Sequence, residues 1–237
     1  MLVLGLHGKI GAGKDTVADF LVARYGFVKF AFSDALYREV QEAFGLEDQS
    51  LLRDRATKEE PLARLALRHC SDEEFIKVAI AELDKQTAPK HLLYPAGVEL
   101  SPRQVLRWWG TEYRRGQDER YWIKRAHEFI LTAQATQYPE HAPQHFVEVG
   151  TRFPDEQAFI HRQNGNVWHI IRPDNPFAVE GVHVSDQKLA VLEGERVLVN
   201  GDTIERLHYG VNLLMATTAQ TVKVLPMLTI TEDELTP

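Results

Sequence analysis

The chain has 237 residues, 27 basic against 34 acidic side chains, a net charge of −7, 44% hydrophobic residues and one cysteine. That length buries a full core; the acidic balance argues against the basic field of a protein that coats duplex DNA, and the lone Cys70 excludes an intrachain disulfide and a cysteine zinc cluster. No apolar run approaches the ~20 residues of a membrane span, and the opening "MLVLGL" is too short for a signal peptide, so the expected location is the cytoplasm.

In chain order, "LVLGL" is a short apolar run ending beside glycines, the pattern of a buried parallel strand. Thr16 to Tyr25 carries Val17, Phe20 and Leu21 at helical spacing, and Gly26 ends it. "FVKFAF" predicts a second strand, and Ser33 caps a second helix that stops at Gly45. Strand, helix, strand, helix signals a parallel sheet. Residues 47–100 read as a helical insertion within a single 1–237 domain. Its helices are "QSLLRDRATKEEPLARLALRH" and "SDEEFIKVAIAELDKQ", the second with a capping box of Ser71 and Glu74, and "TAPKHLLYPAGVEL" is a loop. Ser101-Pro102 opens a helix through "RQVLRWWGTEYRR". A longer one follows, with Trp122, Ala126, Phe129, Ile130 and Ala133 on one face. "HFVEV", "VWHII" and "RVLV" predict strands, and "PDEQAFIHRQNG" predicts a short helix between the first two. "RPDNPFAVEGVHVSDQ" is polar and Pro-broken and reads as a mobile loop. A last helix carries Ile204, Leu207, Val211 and Leu214; "TVKVLPMLTI" is an edge-strand candidate because of Pro226, and "TEDELTP" is a solvated tail.

Two segments carry chemistry. A strand, then "GKIGAGK", then a helix is the context of a phosphate-binding loop. Gly8, Gly11 and Gly13 let successive N–H groups turn inward, the helix N-terminus adds partial positive charge, and Lys14 reaches the β- and γ-phosphates. The familiar Ser or Thr after the lysine, a magnesium ligand, is here Asp15; Thr16 supplies a hydroxyl one residue later. The glycine spacing is not that of a dinucleotide fold. Residues 103–125 hold seven basic side chains, Arg103, Arg107, Arg114, Arg115, Arg120, Lys124 and Arg125, among "WWG" and Trp122. This composition suits either a pocket for a phosphorylated substrate or a solvated helix face anchored by tryptophans. In "VEVGTRFPDEQAF", Arg152 and Glu156 fall at the carboxyl edge of a strand, where α/β sheets gather ligands.

"GKIGAGKDTVADFL", "RQVLRWWGTEYRR", "ERYWIKRA", "VGTRFPDE", "IIRP", "HVSD" and "VNGDTIERL" occur in the order found in the deoxynucleoside monophosphate kinases of tailed bacteriophages. The chain resembles that family from Leu2 to about Leu207, with residues 47–100 matching poorly. The resemblance implies an α/β P-loop kinase fold, a parallel sheet flanked by helices. It implies transfer of the ATP γ-phosphate to a deoxynucleoside monophosphate, giving the diphosphate for DNA precursor synthesis. By position, Ile10, Gly11, Gly13, Lys14, Asp15 and Thr16 would hold ATP, residues 173–186 would be a lid with Arg172 at its hinge, and Asn200 and Gly201 would lie near the adenine. Asp15 would meet Mg²⁺ through water. Tyr37, Arg103, Gly110, Thr111, Trp122, Arg152 and Glu156 would line the acceptor site, Lys14 and Arg152 being catalytic. Where the family places Asp two residues before the arginine of "TRFPDE", this chain has Gly150; where it tends to place Lys near Tyr37, the nearest base is Arg38.

The partner so implied is a small nucleotide, not a nucleic acid or a membrane, and the insertion offers a homodimer contact. The rivals are a phage kinase acting on a modified base in DNA, dephospho-CoA kinase, which shares the loop but not "GTEYRR" or "TRFPDE", and a non-catalytic nucleotide-binding P-loop module.

Overall fold

The apolar run Leu2–His7 forms β1, buried along its length, and hands the chain through residues 8–13 to α1, Lys14–Tyr25. Gly26 closes α1 in the left-handed conformation, its N–H donating to the Leu21 and Val22 carbonyls. In the computed structural model, which describes residues 1–86, 97–135, 145–175 and 189–222 (side chains to 217), five strands follow one parallel order. They are β2 (Val28–Phe30), β5 (His145–Val149), β1, β6 (Asn166–Ile171) and β7 (Arg196–Val199), laid side by side as β2-β5-β1-β6-β7. The order reverses at β1, so the crevice beyond the carboxyl ends of β1 and β5 is the place where such sheets bind ligands.

The chain divides into two compact units, residues 1–32 with 126–237, and residues 33–125. In the first, one sheet face packs Leu2, Leu4, Leu6, Val147, Trp168, Ile170 and Leu198 against Val17, Ala18 and Leu21 of α1 and Leu207, Val211 and Met215 of α8 (Ile204–Val222). The other face lies under α7, Pro154–Arg162, where Phe159 and Ile160 are buried. The mixed α/β architecture, a parallel five-stranded sheet flanked by helices, is consistent with a P-loop kinase fold. Among the described residues no helix is long and apolar enough to cross a membrane.

The second unit holds α2 (Ser33–Ala43), α3 (Ser50–Arg53), β3 (Leu62–Ala66), a 3₁₀ turn (Leu67–His69), α4 (Glu73–Gln86), β4 (Glu99–Leu100), α5 (Pro102–Arg107), a π-helix (Trp108–Arg115) and the start of α6 (Tyr121–Gln134). Here the local patterns mislead. Of the helix expected over residues 49–69, only Ser50–Arg53 is α-helical. Leu62–Ala66 is instead a strand, antiparallel to Glu99–Leu100, which the sequence reading placed in a loop. The apolar spacing of "PLARLAL" fits a helix, but Leu65, Ala66 and Leu67 are all fully buried, and a partner more than thirty residues away decides the conformation. The α4 cap is Asp72, whose Oδ1 accepts from the Phe75 N–H at 2.9 Å; Ser71 instead donates to the Ala43 carbonyl. Ser101 caps α5 with a full capping box through Gln104, as Ser101-Pro102 predicts. The helix expected to run on to Arg115 changes to π-helical pitch at Trp108.

Residues 176–186 of the expected lid lie outside the described residues. Thr221 and Val222 of the candidate edge strand close α8, and the rest of that strand and the acidic tail lie outside as well.

Candidate active site

In the first unit, the loop between β1 and α1 is held from outside. Three consecutive carbonyls accept side-chain donors from beyond β6 and β7: Ile10 from Asn175 Nδ2 at 2.7 Å, Gly11 from Arg172 at 3.3 Å, and Ala12 from Asn200 Nδ2 at 2.9 Å. A trans peptide sets its N–H opposite its C=O. Drawing the Ile10 and Ala12 carbonyls outward therefore aims the Gly11 and Gly13 N–H groups the other way, into the concavity. Gly13 is the N-cap of α1 at φ 103°, and a Cβ there would stand 2.5 Å from Asn200 Nδ2, so only glycine fits. The first N–H groups of α1 have no intrahelical acceptors. Amide donors, helix end and lysine together make an anion site.

Lys14 Nζ donates to the Gly8 and Lys9 carbonyls at 2.7 and 3.0 Å, folding back over the loop. Burial, followed by the nearby Arg152 cation, holds its pKa below the ordinary lysine value. Lys14 and Arg152 thus lie close enough to repel, an arrangement that suits an anion. Asp15 is exposed and faces Lys29 Nζ at 3.0 Å, as does Asp19. No three His, Cys, Asp or Glu side chains form a metal cage among the described residues. These residues would suit a magnesium ion carried in by phosphates and water, toward which Asp15 would act only through water, and do not fit one bound by the protein alone.

Arg152 is presented by a fixed backbone. Gly150 and Thr151 donate their N–H groups to the Leu6 carbonyl at 3.1 and 3.2 Å. Glu156 Oε2, itself buried, accepts from the Arg152 and Phe153 N–H groups at 2.8 and 3.1 Å. Glu156 is therefore engaged in holding Arg152. Gly150 has φ 120°, where a side chain is strained although space is open around it. The carboxylate absent there reflects a turned backbone as well as a changed side chain. Gly150→Asp is expected to destabilise the fold by about 1–3 kcal/mol, read as a lowered urea midpoint at unchanged slope.

The carboxylate nearby is Glu148, 1% exposed, taking the Thr151 hydroxyl at 2.6 Å and the Phe32 N–H at 3.4 Å. Burial first, then the negative Glu156, push its pKa up from 4.5 to about 8. At neutral pH the folded chain keeps this carboxyl protonated while the unfolded chain has released it. Folding therefore takes up a proton, and stability falls as pH rises from about 4.5 to about 8. Glu148→Gln is expected to remove that slope and to raise stability at pH 7, by on the order of 3 kcal/mol, in melts compared across pH.

The second unit carries the remaining candidates. Trp122 is buried and donates Nε1–H to the Gly110 carbonyl at 2.9 Å, so it braces the π-helix next to the exposed Thr111. Tyr37 lies under the Arg53 guanidinium, 4.0 Å from the ring centroid, with Arg53 tied to Gln49. Arg103 pairs with Glu59. Part of the arginine cluster is engaged in internal pairs. Glu39 accepts from Trp109 Nε1, Arg114 Nε and the Tyr121 hydroxyl at 2.9, 2.9 and 2.6 Å, and Lys124 pairs with Asp118. Sequence reasoning missed Glu39 as this hub, and Asn175, His7 and Lys29 beside the loop; no local pattern marks any of them.

A glycine loop at the reversal point of a parallel sheet, with Lys14 and Arg152 adjoining it, marks a mixed α/β protein whose candidate site suits a phosphate group. No family model matches the sequence. Over 214 residues, covering 88% of this chain and 93% of the other, it is 26% identical to a protein of Acanthamoeba polyphaga mimivirus named "Putative deoxynucleotide monophosphate kinase". That distant likeness suggests a nucleotide kinase.

Proposed function

We propose that the chain is an ATP-dependent deoxynucleoside monophosphate kinase. The observation that carries this reading is the pairing of Lys14, folded over a braced amide loop, with Arg152 on a backbone held at every peptide from Gly150 to Phe153. The loop amides and Lys14 grip the β- and γ-phosphates of ATP. Arg152 spans the transferring phosphoryl group and the acceptor phosphate. The acceptor oxygen is already anionic, so transfer needs positioning and charge neutralisation and no strong base. Magnesium, arriving on ATP, supplies further charge neutralisation. The "GTEYRR" and "TRFPDE" segments and the named relative support a nucleotide acceptor over dephospho-CoA.

The test is ADP release over a panel of deoxy- and ribonucleoside monophosphates, modified pyrimidines, dephospho-CoA and oligonucleotides. Turnover with a free deoxynucleoside monophosphate is the expected result. Turnover only with oligonucleotides or dephospho-CoA would replace the reading with one of those kinases. ATP binding without any transfer would leave a non-catalytic module.

A further inference from the structure

Beneath α7 lies a set of buried polar side chains that the proposed chemistry does not use. β1 places His7 on this face, in register with His169 of β6. Just before β7, Glu195 is buried, and its carboxylate accepts four donors. These are the Leu192 N–H at 2.8 Å, Gln157 Nε2 at 2.7 Å, His161 Nε2 at 2.8 Å and His169 Nε2 at 2.7 Å. Burial alone would raise the Glu195 carboxyl; these donors together hold it below the usual range. A buried carboxylate of this kind fixes the orientation of an imidazole that hydrogen-bonds to it. His169, 3% exposed, packs edge-on against His7, with ring centroids 5.2 Å apart. His7 in turn donates Nδ1–H to the Thr151 carbonyl at 2.8 Å. The next residue is Arg152.

We infer that Glu195, acting through His169 and His7, positions Arg152. The carboxylate orients the His169 ring, that ring fixes His7, and His7 fixes the peptide from which Arg152 projects. The three side chains are positioning residues; none touches a reacting group. The inference rests on the proposed kinase reading for its effect on turnover, but the linkage itself is a property of the folded chain.

The arrangement depends on pH. Burial, and then the neighbouring His169 and Lys14, oppose charge on His7, while the Thr151 carbonyl and Glu195 favour it; burial prevails and its pKa is lowered. On β5 the other polar group facing Thr151 is Glu148. Acidification adds a proton at His7 Nε2, whose charge is opposed by burial and by Lys14; the ring's edge-on contact with His169 is disturbed, although Nδ1–H still donates to the Thr151 carbonyl. Asn at position 7 keeps a donor in the place of Nδ1 and cannot titrate.

Two measurements on the full chain test this. In the first, histidine side-chain ¹⁵N–¹H spectra are followed from pH 5 to 8 without nucleotide. His7 is expected as the neutral Nδ1–H form at pH 7, and Glu195→Gln is expected to move the His7 titration. An unchanged His7 titration in that variant would overturn the linkage. In the second, steady-state kinetics are measured over the same range. Glu195→Gln is expected to lower kcat about tenfold while each KM stays within about twofold, the signature of a misplaced group. His7→Asn should keep near-normal kcat at pH 8 and lack the acid limb shown by the parent, whereas His7→Ala, without a donor to the Thr151 carbonyl, should lose kcat across the whole range. Proportional loss of kcat and melting temperature in both Glu195→Gln and His7→Asn would make the set merely structural and sink the inference. A parent chain inactive on every acceptor would refute the kinase reading, with the spectra still deciding the linkage.

Discussion

Lys14→Ala lowers kcat by about a thousandfold or more and leaves the fold intact. Removing one preorganised donor from a developing charge costs about 10²–10³ in rate, and Lys14 is the loop's only side-chain cation aimed at the transferred group in the proposed mechanism. Its fold contribution is small. Its ammonium bonds two loop carbonyls, Gly8 and Lys9, and burial already disfavours its charge. The loop keeps its outer braces from Asn175, Arg172 and Asn200 in the variant. The expected readout is ADP release at background level, weakened ATP binding and a melting temperature within a few degrees of the parent. A variant with near-normal turnover would end the kinase reading as proposed here.

Sequence and structure agree most closely where the signal is local. β1, the glycine loop and α1 were legible because the loop's φ values need glycine, the strand is buried on both faces, and Gly26 ends the helix within one turn. β6 and β7 were legible as short apolar runs. What escaped is non-local. Leu62–Ala66 is a strand because β4 pairs with it, and its own spacing says helix. Glu39 is an ordinary helix glutamate in sequence, yet it anchors Trp109, Arg114 and Tyr121. Asn200 is placed near the adenine by the resemblance; its bond to the Ala12 carbonyl is a non-local contact that no sequence pattern marks. The doubt over Gly150 could be framed from sequence, but its cause, a φ of 120°, belongs to the backbone.

Arg152→Ala lowers kcat by about 10³ with little change in ATP affinity. The guanidinium is exposed, while the backbone N–H of residue 152, which any residue but proline retains, makes the bond to Glu156. Stability is therefore expected to hold. A second consequence separates this residue from a structural one. Arg152 depresses the Lys14 pKa, after burial, so its removal raises that pKa and moves the alkaline limb of the pH–rate profile upward. Arg152→Lys restores the charge but not the fork that grips two phosphates at once. It should return the alkaline limb toward its original position while recovering only part of kcat. If lysine recovered the full rate, Arg152 would be acting as a point charge near Lys14, and bridging of donor and acceptor would be wrong. If alanine left the rate intact and only the pH limb moved, phosphoryl transfer would not depend on this arginine at all.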